Sequence, residues 1–457
     1  MSTSSEPFQW LVGIEDTAIG VPLPRTGRTL DEHALTDHDR RWREDLDLVA
    51  DLGADGLRYG LPWYRVNLAP GVYDWRMADA ALEHAAGVLG LRVIVDLVHY
   101  GVPAWLRGGF ADPGYPDAVA TWAGAVAHRY GDLIAAVTPL NEPAITAAFC
   151  GEVGGWPPYL SGPRGWTTVA VAVARGIQQS IQAVRDEAPS SSIVHVEAAK
   201  LVRATAPDLQ ASVDQSRQRA WLTTDLALGR VDATHPMTPW LLAHGADRTD
   251  LEGLAAARPR VDLMGVNFYP QYSVRELVRV GDDVVEVAGG GTGQDLVTVL
   301  DAFATRYGVP VAVTETSFDG SDDARATWAR ESASAVLEAR DRGLDVRAYT
   351  WWPLFDFVDW GYATGDVAFE DFQVRTTDAD GATVIAPMPS PGRGNDPAAG
   401  VGPWLRRMGL WRLEPDADGL RRVATSAATA MREVMGRARG VQRASGDATP
   451  SRQATTP

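Results

Sequence analysis

The chain alternates short apolar runs with longer amphipathic stretches over most of its length. Runs rich in Val, Ile and Leu predict eight strands, at residues 8–14, 55–61, 92–98, 134–140, 193–201, 261–267, 309–315 and 346–352. Apolar positions three and four apart predict helices at residues 40–52, 77–89, 116–130, 166–187, 209–228, 294–307 and 323–342, with a final helix at 421–437. Runs such as Val93-Ile94-Val95 are typical of strands covered on both faces. The alternation predicts an α/β protein with a (β/α)8 TIM barrel.

Several connections are too long to be simple turns. Residues 143–165 and 357–420 are rich in Gly, Pro and Trp, and residues 270–293 alternate valine with charge, which predicts a hairpin over the barrel mouth. Long loops after barrel strands commonly form the walls of a binding site. We therefore predict one barrel domain over residues 1–437 with long βα loops. Residues 438–457 lack apolar periodicity and are expected to be a disordered tail.

Charge and hydropathy limit the classes of partner. The chain has 42 Lys and Arg against 59 Asp and Glu, a net charge of −17, which argues against binding nucleic acid or an anionic membrane. A neutral small molecule fits this balance better. No apolar run is long enough to span a bilayer, and residues 1–7 do not resemble a secretory signal, so we expect a cytoplasmic location. The sequence leaves the oligomeric state open.

Neither a metal nor a cofactor is expected. The single cysteine, Cys150, excludes an internal disulfide or a thiolate cluster, and we interpret it as a packing residue. The eight histidines do not include a His-x-x-x-His pair, and no calcium-loop spacing occurs. The glycines at 289–291 precede a predicted helix without following a strand, so they do not form a phosphate-binding motif.

Two glutamates lie at the ends of the fourth and seventh predicted strands. Glu142 lies in Leu-Asn-Glu-Pro, and Glu315 lies in Val-Thr-Glu-Thr. Side chains at the carboxyl ends of barrel strands face the mouth, where such folds carry out their chemistry. Retaining glycoside hydrolysis requires two carboxyl groups on opposite sides of the scissile bond. Taken alone, Asn-Glu-Pro is also typical of a helix start, so the joint placement of the two residues is the informative observation.

The local motifs resemble those of glycoside hydrolase family 1, the β-glucosidase family. Asn141-Glu142-Pro143 is similar to its acid/base motif, and Thr314-Glu315-Thr316 is similar to its nucleophile motif. Further similar segments occur in the same order, namely Leu57-Arg58-Tyr59, His99-Tyr100, Gly265-Val266-Asn267-Phe268-Tyr269, Trp352-Pro353-Leu354-Phe355-Asp356 and Asp359-Trp360-Gly361-Tyr362. The resemblance implies a cofactor-free retaining β-glycosidase of carbohydrate metabolism. Glu315 would be its nucleophile and Glu142 its acid/base, acting on a terminal β-linked sugar of a glycoside or oligosaccharide.

The resemblance also implies roles for the neighbouring side chains. Arg58 and Tyr269 would keep Glu315 ionised, and Asn141 would hydrogen-bond the sugar 2-hydroxyl. His99 would bind a neighbouring hydroxyl, and the indole rings would cover the C–H face of the sugar. The full set of expected substrate contacts is Glu15, His99, Asn141, Asn267, Trp352, Asp359 and Trp360. Structural alternatives remain for His99 as a core histidine, Arg58 as an ion-pair partner and Tyr269 as a packing residue.

Three positions depart from the family pattern. The family's amino-terminal Gln-Ile-Glu-Gly motif has no clean counterpart, and Glu15 is the expected substitute for its glutamine. Asp359 replaces a strand-8 glutamate that bridges two sugar hydroxyls, and Phe357 replaces an asparagine nearby. Because Asp359 is one methylene shorter, we expect weak activity on simple glucosides.

Three alternatives use the same barrel. A transglycosylase would keep both carboxylates and use the loops 143–165 and 357–420 to position an acceptor alcohol. A carbohydrate-binding protein built on a barrel without catalytic activity would have no reason to keep two opposed carboxylates. A cellulase-like endo-enzyme of the same clan would need an open groove, whereas Trp-rich loops favour a closed pocket.

Overall fold

The computed structural model describes residues 7–365, 373–377, 383–387 and 400–446. Eight parallel strands close into a barrel, with bounds Gln9–Ile14, Gly56–Gly60, Arg92–Asp96, Ala136–Thr138, Ser192–Ala198, Leu263–Asn267, Val311–Glu315 and Val346–Trp351. Each of these strands overlaps one of the eight predicted apolar runs. The predicted (β/α)8 TIM barrel is therefore confirmed.

The barrel strands are apolar on both faces because they separate two cores. Alternate residues of a strand point to opposite faces. The residues that point inward form a small cluster, namely Leu11, Ile94, Ala136, Val194, Val196, Ala312 and Ala348. The residues that point outward join a much larger cluster under the surrounding helices. The barrel closes where Val12 of the first strand lies between Trp351 of the eighth strand and Leu57 of the second.

Helices follow the barrel strands and cover the outside of the sheet. The α-helices are Glu32–Leu35, His38–Leu52, Trp63–Val66, Arg76–Leu82, Tyr115–Tyr130, Pro143–Ala147, Gly162–Glu187, Gln210–Ala227, Thr238–Ala243, Arg248–Ala257, Gly293–Tyr307, Asp322–Asp341, Gly361–Thr364 and Ser426–Gly446. Two of them continue as π-helical turns, Glu83–Val88 and Ala148–Glu152, and short 3-10 turns occur at Gly109–Ala111, Pro207–Leu209 and Gly402–Trp404. Among the described residues we find no helix with the length and apolar character needed to cross a membrane.

Local sequence signals explain several helix ends. The helix Gly293–Tyr307 begins with a capping box in which the Thr292 hydroxyl and the Asp295 carboxylate each bond the other's backbone N–H. It ends at Tyr307 and is followed by Gly308, whose φ of 71° is easily adopted only without a β-carbon. These signals are local, and the predicted bounds of this helix agree with the observed ones to within a residue.

The last predicted helix, residues 421–437, begins too early. Residues Gly419–Ala424 form a strand, and the helix is Ser426–Gly446. The helix continues into the segment expected to be a disordered tail, 438–457, as far as Gly446. Residues 447–457 lie outside the described residues.

The predicted helix start was wrong because Arg422 forms a buried ion pair with Asp45. Arg422 lies in the strand, yet its guanidinium group is buried because Nε and Nη2 bond Asp45 Oδ1 and Oδ2 at 2.7 and 2.8 Å. The side chain is charged but faces the protein interior, so the alternation of the strand is hidden in the sequence. Gly419, with a φ of 118°, makes the turn back from the preceding strand Trp411–Asp416.

Loops at the barrel mouth form a second sheet. Its five strands come from the connections after the fifth, sixth and eighth barrel strands and are, in spatial order, Leu201–Arg203, Val274–Val280, Asp283–Ala288, Gln373–Thr377 and Thr383–Pro387. The hairpin predicted within residues 270–293 is present as its second and third strands. The predicted long loop 357–420 falls partly outside the described residues.

Smaller strand pairs complete the loops. They are Ala18–Ile19 with Leu30–Asp31, Asn67–Ala69 with Val72–Tyr73, and Phe357–Val358 with Leu405–Arg406. The last pair joins the exit of the eighth barrel strand to a segment about fifty residues later in the chain. It brings Asp359 and Arg406, which the sequence separates widely, to the same edge of the mouth.

Candidate active site

Glu142 and Glu315 both lie at the carboxyl ends of barrel strands. Glu315 is the last residue of the seventh strand, and Glu142 follows the fourth strand, directly before the helix Pro143–Ala147. Their exposed fractions are only 6% and 3%, so both carboxyl groups are largely shielded from bulk water. Glu142 has a φ of 46°, a left-handed conformation that is unfavourable for a residue with a side chain. The chain therefore accepts local strain to direct this carboxyl group.

Glu315 is held by two donors. Arg58 Nη1 donates to its Oε1 at 2.6 Å, and the Tyr269 hydroxyl donates to its Oε2 at 2.6 Å. Burial and the charge of Glu315 raise the pKa of Tyr269, so its hydroxyl stays a neutral donor. A guanidinium group on one oxygen and a hydroxyl on the other fix the orientation of this carboxyl group.

Arg58 is the centre of a buried ion cluster. Nη1 also donates to Glu15 Oε1 at 2.8 Å, while Nη2 donates to Asp96 Oδ2 and Asn141 Oδ1, each at 2.8 Å. Burial lowers the pKa of Arg58, but the charges of Glu15, Asp96 and Glu315 outweigh burial, so the guanidinium group remains protonated. Burial raises the pKa of Glu15 well above its usual value, which limits the number of charges that one arginine must balance.

Glu142 has a different environment. Asn267 Nδ2 donates to its Oε1 at 2.9 Å, and the Tyr100 hydroxyl donates to its Oε2. Burial, followed by the negative charge of Glu315, raises the pKa of Glu142 to about 8, although both donors oppose this change. Glu142 therefore holds a proton at neutral pH, as a general acid must. Its partners therefore differ from those of Glu315, which is bonded to a buried guanidinium group.

Asn141 connects the two carboxyl groups. Its Oδ1 accepts from Arg58 Nη2 at 2.8 Å and from Asn267 Nδ2 at 3.2 Å, so it contacts a partner of each glutamate. Its Nδ2 lies 3.1 Å from His99 Nε2 and donates to the Tyr100 hydroxyl at 3.0 Å. All four hydrogen-bonding positions of this amide are therefore occupied by protein groups. Glu142 and Glu315 belong to one connected hydrogen-bond network.

His99 is oriented by the same network. Asp96 Oδ2 lies 3.0 Å from His99 Nδ1, while Asn141 Nδ2 points at Nε2. In the neutral ring, Nδ1–H donates to Asp96 and Nε2 accepts from Asn141, which selects one tautomer. Asp96 thus orients both Arg58 and His99.

Aromatic rings flank the two carboxyl groups separately. Trp352 lies near Tyr269, with ring centroids 5.8 Å apart, and its Nε1 donates to the backbone oxygen of Glu15 at 2.6 Å. Trp360 is partly exposed and lies 5.8 Å from the Tyr100 ring and 4.9 Å from the Trp156 ring. Trp352 therefore flanks the Glu315 side of the site, and Trp360 flanks the Glu142 side.

At the exit of the first strand, Asp16 is more accessible than Glu15. Glu15 was the predicted sugar contact, but it is fully buried against Arg58, and Asp16 is partly exposed. Burial raises the pKa of Asp16 to about 7, opposed by His99 and reinforced by the charge of Glu315. The carboxyl group with access to the site at this position is therefore that of Asp16.

Asp359 is tied to a cation. Its Oδ2 accepts from Arg406 Nε, and its Oδ1 accepts from the backbone N–H of Gly361 at 2.8 Å. Arg406 Nη1 also donates to Asp319 Oδ2 at 2.7 Å and to the Tyr272 hydroxyl at 2.8 Å. Asp359, which the sequence predicted to contact sugar hydroxyls, is therefore already bonded to the Arg406 side chain and to the Gly361 backbone.

Four residues of the site were not predicted. Asp96 had a signal, because it ends the third barrel strand directly after the apolar residues Val93–Val95. Tyr100 lies in the His99-Tyr100 motif, but nothing in the sequence indicated its contact with Glu142. Asp16 and Arg406 had no usable signal. Among the described residues, no group of three or more His, Cys, Asp or Glu side chains is placed to hold a metal ion.

Comparisons with known proteins agree with this architecture. The sequence profile of Glycosyl hydrolase family 1 matches residues 13–275. A protein of Bifidobacterium breve described as a bifunctional beta-D-glucosidase/beta-D-fucosidase is 26% identical over 394 residues, which cover 74% of this chain and 84% of that protein. The thermostable beta-glucosidase B of Thermobispora bispora is 26% identical over 364 residues, covering 71% of this chain and 74% of the relative.

The fold has a close match among solved structures. The family 1 β-glucosidase from Thermotoga maritima superimposes with a TM-score of 0.74 at 16% identity, covering 95% of this chain and 99% of that one. The fold therefore defines a TIM barrel of the β-glucosidase type. Because the profile match covers more than half of the sequence, the chain belongs to glycosyl hydrolase family 1. The profile match ends at residue 275, before Glu315.

Proposed function

We propose that the protein is a retaining β-glycosidase that removes a terminal β-linked sugar by double displacement. Glu315 is the nucleophile, and Glu142 is the acid/base. The observation that carries this proposal is the unequal treatment of the two carboxyl groups within one network. Glu315 is bonded to a buried guanidinium group, whereas the pKa of Glu142 is raised to about 8 by burial and by the charge of Glu315.

In the first step, Glu142 donates its proton to the departing oxygen while Glu315 attacks the anomeric carbon. The bond to the leaving group breaks, and a covalent bond forms between the sugar and Glu315. Arg58 and Tyr269 orient the attacking carboxylate. The leaving alcohol carries away the proton, and Glu142 becomes a carboxylate.

In the second step, Glu142 acts as a base. The ester formed at Glu315 no longer carries a negative charge, so one of the two causes that raise the pKa of Glu142 disappears. Glu142 then removes a proton from a water that attacks the anomeric carbon and releases the sugar. The donors from Tyr100 and Asn267 stabilise Glu142 while it is ionised.

The substrate is proposed to be a neutral monosaccharide unit in β linkage. Relatives described as β-glucosidase and β-glucosidase/β-fucosidase support this class. Trp352 and Trp360 offer apolar faces, and the partly exposed Asp16 offers a carboxyl group near the pair. His99 and Asn267 lie beside the pair with their polar atoms bonded to protein groups. Since Arg406 and the backbone of Gly361 bind Asp359, we expect weak recognition of sugars that depend on a free carboxylate at this position.

Covalent trapping tests the nucleophile. The protein is incubated with 2-deoxy-2-fluoro glycosyl fluorides of several sugars, and the labelled peptide is mapped by mass spectrometry. A fluorosugar slows both steps, but its activated leaving group allows the first to proceed. We expect one sugar per chain, attached to Glu315. Label on another residue would contradict the assignment.

Rescue kinetics test the acid/base. Glu142→Ala should lose about a thousandfold or more of kcat/KM on substrates with poor leaving groups and much less on dinitrophenyl glycosides, which need no protonation. Added azide should then restore turnover and give a β-glycosyl azide. Glu338→Ala, at an exposed position of a surface helix, serves as the control and should behave as wild type. Equal losses on both kinds of substrate would remove Glu142 from this role.

A further inference from the structure

The hydroxyl of Tyr100 lies between the side chains of Asn141 and Glu142, beyond the end of the fourth barrel strand. Its hydroxyl donates to Glu142 Oε2 and accepts from Asn141 Nδ2 at 3.0 Å. The side chain is 3% exposed, and its ring packs against His99 and Trp156 with centroids 4.5 and 5.0 Å away. This packing leaves the hydroxyl little freedom to leave its two partners.

The backbone gives an independent indication. Among the described residues, five non-glycine positions have a positive φ, and both Tyr100 and Glu142 are among them, at 65° and 46°. Such conformations cost about 1 kcal/mol or more each and persist where the surroundings enforce them, often at functional sites. Here two strained residues hydrogen-bond each other through their side chains. The unfavourable backbone conformations of Tyr100 and Glu142 are therefore joined by one hydrogen bond between the two side chains.

The Tyr100 hydroxyl occupies one acceptor of Glu142 and one donor of Asn141 that a substrate could otherwise bind. Both oxygens of Glu142 accept a bond from the protein, one from Tyr100 and one from Asn267. Both amide hydrogens of Asn141 are directed at protein atoms, one at Tyr100 and one at His99. A sugar hydroxyl can bind this amide only by replacing one of those contacts.

We propose that Tyr100 is a positioning residue whose hydroxyl couples Glu142 to Asn141, fixing the orientation of the acid/base carboxyl group and withholding an Asn141 N–H from the sugar. This inference rests on the acid/base role of Glu142 proposed above. Tyr100 forms and breaks no bond to the substrate. It acts through Glu142 and Asn141.

The phenol group favours one protonation state of Glu142. A hydroxyl that donates to a carboxylate stabilises the ionised form, so it lowers the pKa of Glu142 and opposes the effect of burial. When Glu142 is protonated, one of its two oxygens becomes a weaker acceptor, so the two donors bind the neutral form less strongly. Removal of the phenol hydroxyl should therefore raise the pKa of Glu142 and extend the protonated form to higher pH.

The first experiment measures kcat/KM against pH for wild type and Tyr100→Phe, which keeps the ring and removes the oxygen. We expect the basic limb of Tyr100→Phe to move up by about half to one pH unit and the maximum to fall about three- to tenfold. Tyr115→Phe is the matched control, because the Tyr115 hydroxyl is also buried but has no hydrogen-bond partner among the residues that the structure describes. It should leave the pH profile unchanged.

A second measurement does not depend on turnover. The Glu142 carboxyl carbon is titrated by 13C NMR in wild type and in Tyr100→Phe, with its signal assigned by its absence in Glu142→Gln. We expect an upward pKa shift of the same size as the shift of the basic limb. If this shift occurs in a protein that cleaves no glycoside, the positioning role holds and the proposed function fails. If the protein is active and the pKa does not rise, the positioning role fails.

Substrate discrimination provides the last measurement. In Tyr100→Phe, one Asn141 N–H is released and can bind the sugar 2-hydroxyl. We expect the ratio of kcat/KM for a glycoside over its 2-deoxy analogue to rise about three- to tenfold above the wild-type ratio. An unchanged or lower ratio in a variant with wild-type Tm would overturn the claim that Tyr100 withholds this donor.

Discussion

The active site has two regions that are built differently. The floor comprises Arg58, Asn141, Glu142, Tyr269 and Glu315, which belong to one hydrogen-bond network. Within it, Tyr100 and Asn267 connect Glu142 to Asn141. The outer edge comprises Asp16, Asp359 and Arg406, which come from the exits of the first and eighth strands and from a late loop. The floor resembles the family motifs residue by residue. The outer edge includes Asp359, which departs from the family pattern, and the exit of the first strand, where the family's amino-terminal motif has no clean counterpart.

This contrast separates chemistry from recognition. A change in the floor alters the charge balance around Arg58 and affects every group bonded to it. Under the proposed function, we expect a change in the outer edge to alter mainly which sugar hydroxyls find a partner. On that basis the cleavage reaction would be retained while the sugar preference shifts. The following predictions test whether the two regions are as independent as this reasoning requires.

The largest effect is expected at the nucleophile. Glu315→Gln keeps the shape of the side chain but removes the attacking charge, so kcat should fall about ten-thousandfold or more. Binding of a non-hydrolysable thioglycoside, measured by calorimetry, should weaken much less. Glu338→Gln on the surface is the control. Residual turnover above a hundredth of wild type would break the assignment of chemistry to the floor.

Arg58→Met should affect stability as well as activity. The substitution leaves Glu15, Asp96 and Glu315 buried without their common cation, which should reduce the free energy of unfolding by about 3–5 kcal/mol. Chemical denaturation measures this loss. Arg325→Met removes another fully buried arginine, which bonds the backbone oxygens of Gly320 and Arg407 and neither glutamate of the pair, and it should lower stability without lowering kcat of the folded protein. Equal kcat in both variants would contradict a catalytic floor centred on Arg58.

Glu197 bonds the backbone two residues after Glu142 and should make the free energy of unfolding depend on pH. Its carboxyl accepts from the backbone N–H of Ala144 and from the Thr223 hydroxyl, and burial raises its pKa to about 7. Because the folded-state pKa lies above the unfolded value of about 4.3, the folded protein binds this proton more tightly. The resulting stability is fully present below about pH 4 and is lost as pH rises through 7.

Glu197→Gln removes this titration. Relative to wild type, the variant should gain about 2 kcal/mol in unfolding free energy between pH 5 and pH 8, as measured by urea denaturation at each pH. Glu338→Gln should show no such gain. A difference between variant and wild type that stays constant with pH would show that Glu197 does not titrate in this range.

The smallest effect is expected at the outer edge. Arg406→Met releases Asp359, which can then accept a bond from a sugar hydroxyl. The ratio of kcat/KM for a β-glucoside over the corresponding β-xyloside should rise about tenfold, since only the glucoside carries the extra hydroxymethyl group. Arg407→Met, which disrupts contacts with Asp356 and Leu413, should lower Tm without changing the ratio. The same change of the ratio in both variants would contradict a specific role for the contact between Arg406 and Asp359.

The sequence predicted the barrel because its signals are local. Near-continuous apolar runs and helical periodicity are set by nearest neighbours, and all eight strands are where they were expected. The placement of the two glutamates at the barrel mouth could be predicted because strand ends of a barrel meet at one face. The start of the last helix was wrong because the buried Arg422 pairs with Asp45, at a separation that no local pattern can reveal.

The outer edge was harder to predict for the same physical reason. Arg406 reaches Asp359 only because the short strands Phe357–Val358 and Leu405–Arg406 pair across a long excursion of the chain. The choice between Glu15 and Asp16 depends on strand register, since neighbouring side chains point to opposite faces. Contacts of this kind depend on which distant strands pair, and a local sequence pattern does not show that. Arg58 and Tyr269 could be predicted because they lie within short motifs that can be recognised.

The accessory sheet at the mouth carries a lesson for redesign. Its strands come from the connections that follow the fifth, sixth and eighth barrel strands, and each strand bonds to its neighbour. No one of these loops can be exchanged for a homologous loop without leaving the backbone groups of an adjacent strand unpaired. Grafts intended to alter specificity should therefore transplant the three segments together, as one cassette.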